Sequence, residues 1–193
     1  RFRPQVRDRW REQAGPGSGI WYDLGPHLLD QAVNLFGLPV SLTVDLAQLR
    51  PGAQTTDYFH AILSYPQRRI VLHATMLAAA ESARYIIHGT RGSYVKFGLD
   101  PQEDRLKNGE RLPQEDWGYD MRDGVFTRFE GEEQVQETLL TMPGNYPAYY
   151  AGIRDALYGT GENPVPASQA IQIMELIELG IESAKHRATL CLA

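Results

Sequence analysis

The chain has 193 residues, of which 42% are hydrophobic and 22% are charged, the balance of a globular protein with a core of its own. Its 19 basic and 24 acidic residues give a net charge of −5, which argues against a nucleic-acid partner because phosphate binding needs a basic surface. The single cysteine, Cys191, excludes an internal disulfide and a cysteine zinc cluster. No apolar run is long enough to cross a bilayer and no signal peptide is evident, so we expect a cytoplasmic protein without a membrane partner.

The N-terminal part of the chain predicts an extended segment, a loop and a helix. Proline and arginine around residues 2–6 favour the extended segment. Gly25-Pro26 predicts the first turn of the helix, because proline suits that position. Its apolar stripe has helical spacing: Leu28, Ala32, Leu35 and Phe36. Gly37 then ends the helix.

The middle of the chain predicts antiparallel strands. Residues 40–46 alternate strictly between apolar and polar side chains, as in a half-buried strand. Three further pairs of strand-like segments flank short turns and predict hairpins: 57–65 with 68–77, 84–89 with 92–98, and 124–130 with 133–140. The polar residues 99–123 predict a long surface loop.

Two helices are predicted near the end. Asn145 caps the first and Pro147 suits its first turn. The apolar residues of the first are Tyr146, Tyr150, Ile153 and Leu157, and those of the second are Ile173, Ile177, Gly180, Ile181 and Ala184. Residues 189–192 add a short strand. Strands and helices are thus segregated, which predicts an α+β fold with an open, mainly antiparallel β-sheet and helices packed on one face.

The sequence contains no strand followed by G-x-G-x-x-G and a helix, the pattern of a dinucleotide site. The nearest segment, GPGSG at 15–19, follows charged residues instead of a strand. We therefore predict no cofactor-binding residue in this chain. His60 and His73 lie in one predicted hairpin and are a candidate metal pair, but without a clear third ligand we predict no metal site.

Four polar residues are spaced by four, three and four along the first predicted helix: Asp23, His27, Asp30 and Asn34. One interpretation is an ordinary polar face turned to water. The other is an active site in which Asp23 and His27 work together. The predicted helix places His27 in its first turn, where the helix dipole disfavours imidazolium while Asp23 favours it. Such opposed effects suit an acid/base group, and Asp23 would either fix the tautomer of His27 or hold a substrate hydroxyl. A sugar or polyol has hydroxyl groups for the pair to bind and deprotonate.

Residues 19–37, GIWYDLGPHLLDQAVNLFG, resemble the G-x-x-x-D-x-G-x-H-x-x-D-x-x-x-x-L-x-G signature of the Gfo/Idh/MocA oxidoreductases. The resemblance continues through GTRGSYVKFGLDPQEDRLKNGERLP and through NYPAYYAGIRDALYGTGENPVPASQAIQIMELIELGIESA. It covers most of the chain in the family's order. Within the family, the sequence looks most like the branch that contains the scyllo-inositol dehydrogenases.

The resemblance implies that residues 1–193 are a single C-terminal substrate-binding and dimerisation domain. The N-terminal Rossmann domain, which holds NAD or NADP, would be absent, as would the family's catalytic lysine in a Glu-Lys-Pro motif. A start at Arg1 instead of methionine agrees with a trimmed chain. By motif position, His27 is the implied proton-transfer residue and Asp23 the implied substrate-positioning carboxylate. Asp30 also matches, and we expect it to support the helix or His27.

The implied activity of the complete protein is NAD(P)-dependent oxidation or reduction of a sugar or polyol, inositol-like in this branch. We expect this chain alone to be inactive, because it lacks a cofactor site. A homo-oligomer formed through the open sheet is also implied. The alternative is a non-enzymatic binding or assembly module that uses the sheet face, since a fold alone does not fix function.

Overall fold

The computed structural model describes residues 2–111 and 116–192, which form two compact units: Arg1–Ala79 with Val165–Ala193, and Ala80–Pro164. Each unit contains a four-stranded antiparallel sheet. The α+β prediction is confirmed, although the strands form two sheets. That the whole chain is one domain stays a prediction. Among the helices described, none has both the length and the apolar character required to cross a membrane.

The helices and strands follow one another in the order helix, five strands, helix, two strands, two helices and a last strand. They are α1 (Ile20–Phe36), β1 (Ser41–Ala47), β2 (Tyr58–Tyr65), β3 (Arg68–Thr75), β4 (Tyr85–Gly89), β5 (Gly92–Lys96), α2 (Gln102–Lys107), β6 (Gly124–Glu130), β7 (Glu133–Leu139), α3 (Tyr146–Leu157), α4 (Ala167–His186) and β8 (Leu190–Cys191). A 3₁₀ turn at Trp10–Glu12 precedes α1. The three predicted hairpins and the last short strand are confirmed.

The first unit packs α1 and α4 on one face of a sheet in the order β3-β2-β1-β8. Strand β2 alternates along its whole length between buried and half-buried residues, as its period-two sequence predicts. The core between this sheet and the helices is mainly apolar, and its buried residues include Ile20, Trp21, Leu29, Leu42, Val44, Phe59, Ala61, Leu63, Ile173 and Ile177. Burying this surface holds α1 on the sheet.

Helix α1 begins at Ile20, five residues before the predicted start, so Pro26 lies inside it. A tertiary contact sets this start, because the Ile20 amide donates to the Thr56 carbonyl at 2.7 Å. Gly19 precedes the helix with φ of 89°, and a Cβ there would lie 3.0 Å from the Thr56 nitrogen, so glycine is required. The predicted stripe was wrong at Leu35, which is 64% exposed.

Trp21 fills the contact between α1 and α4. Its Nε1 donates to the Ile177 carbonyl at 3.1 Å, and its ring meets Phe59 edge-on with 5.0 Å between centroids. Two glycines leave room for the indole. A Cβ at Gly25 would lie 3.1 Å from Trp21 Cε3, and a Cβ at Gly180 would lie 2.5 Å from Cζ2. The helices therefore approach closely only because neither position carries a side chain.

The second unit has strand order β4-β5-β6-β7. The predicted loop 99–123 contains the short helix α2, while residues 112–115 of that loop lie outside the described part. Lys96 at the end of β5 forms a buried ion pair with Asp120, Nζ to Oδ2 2.7 Å. Asn145 caps α3 as predicted, since its side chain accepts from the Ala148 amide, but the apolar stripe of α3 contains no buried residue.

The N-terminal extended segment predicted around residues 2–6 is not a strand. It is held instead by isolated hydrogen bonds, among them the Arg3 amide to the Met76 carbonyl at 2.8 Å. Pro4 removes one backbone donor, which fits a segment that joins no ladder.

We expect Gly180→Ala to destabilise the first unit. The new methyl group would meet Trp21. The loss of unfolding free energy from this overpacking, about 1–3 kcal/mol, exceeds the gain of up to about 1 kcal/mol from replacing a helical glycine. Urea unfolding measures the difference. Gly15→Ala is the matched control, because a Cβ there has nothing within 4 Å. Equal unfolding free energies for the two variants would contradict the close-packing argument.

Candidate functional site

Asp23 and His27 are one turn apart on α1. Asp23 lies in the first turn and its side chain is half-buried, whereas His27 lies a turn further on and is exposed. The prediction that His27 lies in the first turn was wrong, because the helix begins earlier. The helix-dipole argument made for His27 therefore does not apply, since that effect falls off beyond the first turn.

The polar row of α1, which consists of Asp23, His27, Asp30 and Asn34, divides into two pairs. Gln169 of α4 donates its Nε2 to Asp30 Oδ1 at 3.1 Å and to Asn34 Oδ1 at 3.0 Å. Asp30 and Asn34 therefore help to tie the two helices together. Within residues 2–111 and 116–192, no hydrogen bond joins Asp23 to His27, and none reaches the His27 imidazole. Asp23 and His27 are thus open to a ligand that bridges the carboxylate and the imidazole.

Arg11 is the protein partner of Asp23, with 3.5 Å between Nε and Oδ1. A hydrogen bond of 2.9 Å from the Gly19 amide to the Arg11 carbonyl brings the two segments together. The two side chains border a crevice of about 10 Å³ that Thr55 and Thr56 also line. Sequence reasoning missed Arg11, because neither helical nor strand spacing relates it to Asp23.

A buried ionic cluster lies beneath this crevice. Arg50 Nε is 2.9 Å from Asp57 Oδ2, and Arg50 Nη1 is 3.0 Å from Glu12 Oε2, with all three side chains almost completely buried. The same Nη1 donates to the carbonyls of Arg3 and Gln5, each at 3.1 Å. Asp57 also accepts from the amides of residues 49 and 50. Because every charge is paired and hydrogen-bonded, the cluster fixes the N-terminal segment against the first unit.

The surroundings of Glu12 in this cluster shift the pKa of its carboxyl group. Burial alone would raise its pKa, but hydrogen bonds from the Arg7 amide, Arg9 and Arg50 favour the carboxylate. The balance lowers the pKa of Glu12 below its ordinary value of 4.5. The carboxylate is therefore ionised whenever the folded protein is near neutral pH.

Neither a metal nor a dinucleotide fits the described residues well. His60 and His73 are directly opposite on β2 and β3, with ring centroids 5.6 Å apart. Within the described part of the chain, no three His, Cys, Asp or Glu side chains form a group that could hold a metal ion. The GPGSG segment follows a 3₁₀ turn instead of a strand, and the amides of Gly19 and Ile20 already donate to the Arg11 and Thr56 carbonyls. A phosphate would find those donors occupied.

The acid stability of the first unit should depend on Glu12. Its pKa is lower in the folded chain than in the unfolded chain, so its stabilising contribution is present above pH 4.5 and is lost as pH falls through the depressed value. The difference in unfolding free energy between wild type and Glu12→Gln should therefore shrink from about pH 7 to about pH 3. The exposed Glu133→Gln serves as control, and a difference that stays constant over this range would contradict the assignment.

Comparison with known proteins agrees with the α+β fold. The model of the "Oxidoreductase family, C-terminal alpha/beta domain" matches residues 1–192. The whole chain is 89% identical to "Uncharacterized oxidoreductase YdgJ" of Escherichia coli (strain K12), of which it covers 56%. It is 37% identical to "scyllo-inositol 2-dehydrogenase (NADP(+)) IolW" of Bacillus subtilis (strain 168), aligning over all of this chain and 54% of that protein.

A solved structure has the same fold. YPO2259 of Yersinia pestis superimposes with a TM-score of 0.93 at 66% identity, over all of this chain and 54% of that one. The chain thus spans about half the length of these relatives. With the family model matched over residues 1–192, the chain belongs to the Gfo/Idh/MocA oxidoreductase family, of which it is the C-terminal alpha/beta domain.

Proposed function

We propose that this chain is the substrate-binding and oligomerisation domain of an NAD(P)-dependent oxidoreductase acting on a hydroxyl or carbonyl group of a sugar or polyol. The observation that carries the proposal is the placement of Asp23 and His27 one turn apart on α1, with the imidazole exposed. Family membership supports redox chemistry. The printed name of the Bacillus subtilis relative supports an inositol-like polyol and NADP.

The two side chains have complementary tasks in this proposal. The Asp23 carboxylate accepts a hydrogen bond from a substrate hydroxyl, while Arg11 holds that carboxylate in place. The His27 imidazole takes the proton of the reacting hydroxyl when its carbon is oxidised, and returns a proton when the carbonyl is reduced. The substrate itself bridges the two groups, because no described hydrogen bond joins them directly.

The dinucleotide is assigned to the part of the relatives that this chain does not span. In support, the amides of Gly19 and Ile20, at the glycine-rich turn before α1, already donate to the Arg11 and Thr56 carbonyls. The nicotinamide, when bound, supplies the redox change. The residues of this chain bind and orient the substrate and move its proton, the division of labour expected of a protein that works with such a cofactor. We place this enzyme in the cytoplasm.

In the complete oxidoreductase, His27→Gln should lower kcat about 100-fold to 10,000-fold, the range for losing a general acid/base. Steady-state turnover of a neutral sugar or polyol with NADP(H) or NAD(H) measures this. His186→Gln is the matched control, since His186 is an exposed histidine at the end of α4 whose Nε2 lies 3.1 Å from a Glu182 oxygen. Equal rates for the two variants would favour the binding or assembly module.

We propose further that the β4–β7 sheet forms a homo-oligomer contact. Ile86 and Val125 lie opposite Val95 on neighbouring strands, so the three side chains share one face. Phe129 lies four residues after Val125 on the same strand and hence on the same face. Ile86 is 59% exposed and Phe129 is 68% exposed. An apolar row of this kind favours burial against a second copy over contact with water.

Ile86→Lys should weaken self-association at least about tenfold, because a charge within an apolar contact must be desolvated. Sedimentation velocity over a range of concentrations reports the dissociation constant. Ile87→Lys is the matched control: Ile87 is the adjacent residue, 51% exposed, on the opposite face. A larger effect at Ile87 would assign the contact to the other face, and a monomeric wild type would refute it.

A further inference from the structure

The outer side of α4 carries an open groove with a volume of about 650 Å³. Its lining combines apolar and acidic side chains, among them Ile171, Met174, Leu179, Glu175, Glu178 and Glu182. Ile171 is 57% exposed and Met174 is 42% exposed. Each of these two lies two positions before a core residue, Ile173 or Leu176, and hence about 200° around the helix from it. Helix α4 is thus apolar on two sides, which is typical of a helix that is covered on both.

The three glutamates of this outer groove differ in their partners. Glu178 accepts a hydrogen bond from the Tyr22 hydroxyl at 2.9 Å. Glu182 pairs with Lys185, with 3.4 Å between Oε1 and Nζ. Throughout the part of the chain that the structure describes, no hydrogen bond or ion pair reaches the Glu175 carboxylate. A surface that covers the groove would desolvate this charge, and a cation beside it would offset the cost.

The outer groove adjoins the helical turn that carries the proposed site. The hydrogen bond from Tyr22 to Glu178 joins α4 to the first turn of α1, and Asp23 is the residue after Tyr22. In the proposed function, a hydride passes between the nicotinamide and the substrate held at Asp23 and His27, so the reacting atoms must approach to about 3–3.5 Å. The part of the protein that binds the cofactor must therefore cover α1 near this turn.

The relatives of this chain contain a part of suitable size. The chain covers 56% of the Escherichia coli relative and 54% of the Bacillus subtilis one. Because the chain is the C-terminal domain of its family, the rest of each relative precedes the segment that this chain matches. In the Escherichia coli relative this preceding part has about 150 residues, the length of a domain.

We infer that the outer groove of α4 is the docking surface for this preceding part of the complete oxidoreductase. Apolar side chains of the preceding part pack on Ile171 and Met174, and one of its lysines or arginines lies beside Glu175. The inference rests on the proposed function and adds to it the surface that holds the cofactor-binding part next to Asp23 and His27. A second copy is a poorer fit, because a two-fold contact through the groove would bring the glutamates of both copies together.

Photocrosslinking in the complete oxidoreductase identifies the occupant of the groove. The photoreactive residue p-benzoylphenylalanine replaces Ile171, and a mixture of isotope-labelled and unlabelled chains separates crosslinks within one chain from crosslinks between chains. We expect crosslinks within one chain, to peptides that precede residue 1 of this sequence. Crosslinks between chains would assign the groove to a second copy and overturn the inference, as would the absence of any crosslink to the preceding part.

Leu35 provides the matched control for the crosslinking. It is an exposed apolar residue, 64% accessible, that lies about 18 Å further along α1 than Asp23. With p-benzoylphenylalanine in place of Leu35, crosslinks to the preceding part should be at least about tenfold fewer than from residue 171. Equal yields from the two positions would mean that the crosslinks do not report a specific docking surface, which overturns the inference.

A charge reversal tests the cation that we place beside Glu175. Glu175→Lys should lower the yield of crosslinks from residue 171 to the preceding part at least about tenfold, because it sets two positive charges against each other in the contact. Glu133→Lys, at an exposed position on β7, is the control and should leave the yield unchanged. Equal yields in the two variants would show that no lysine or arginine lies beside Glu175.

Oxidation of methionine by hydrogen peroxide gives a measure of the covered surface without a variant. In the complete protein, Met174 should react at least about tenfold more slowly than in the same protein unfolded in urea, as should the buried Met76. At its 42% exposure in this chain, an uncovered Met174 would be slowed only about two- to threefold. That smaller effect would overturn the inference, and so would protection that is lost on dilution, since it would come from a second copy.

None of these measurements depends on turnover, so the inference and the proposed function can fail separately. Crosslinks from residue 171 to the preceding part, in a protein that turns over no sugar or polyol, would refute the proposed function and leave the docking surface in place. Turnover of a polyol by a protein that forms no such crosslinks would overturn the inference alone.

Discussion

The geometry of the proposed site depends on the indole of Trp21. It occupies the space left by Gly25 and Gly180 and donates to a carbonyl of α4, which sets both the separation of the two helices and the rotation of α1 about its axis. Successive helical residues turn by about 100°, so Asp23 and His27 point about 200–240° away from Trp21. An apolar contact on one side of α1 thereby directs the polar row to the other side.

The buried Arg50 cluster fixes the position of the N-terminal segment, as Trp21 fixes the position of α1. Taken alone, a buried ion pair contributes little to stability, because desolvation offsets the attraction. Its consequence here is positional: Glu12 can be buried only where Arg50 and the Arg7 and Arg9 donors meet it. That constraint places Arg11 beside Asp23. Two unrelated interactions, one apolar and one ionic, therefore converge on the same carboxylate.

The hairpins could be predicted from the sequence because their signals are local. Strand β6 has its predicted bounds, since alternation and the glycine turn after it lie within a few residues. The start of α1 could not be predicted, because it is set by the carbonyl of Thr56, 36 residues beyond Ile20 in the chain. The apolar stripe was shifted for a similar reason: Leu28 and Leu29 fit a helical period equally, and Leu29 is the one that becomes fully buried when α1 packs on α4 and the sheet.

The candidate site shows the same division between local and long-range information. The spacing of Asp23 and His27 is local, so the sequence predicted their shared side of the helix. Their roles were argued from residue chemistry and from family resemblance, and they remain proposals. Arg11 and Gln169 come from distant segments and were not predicted. Gln169 hydrogen-bonds to Asp30 and Asn34, whereas no described hydrogen bond joins Asp23 to His27. Only one pair of the polar row is therefore hydrogen-bonded within the fold. The other pair, Asp23 and His27, is where we propose that a substrate hydroxyl group binds.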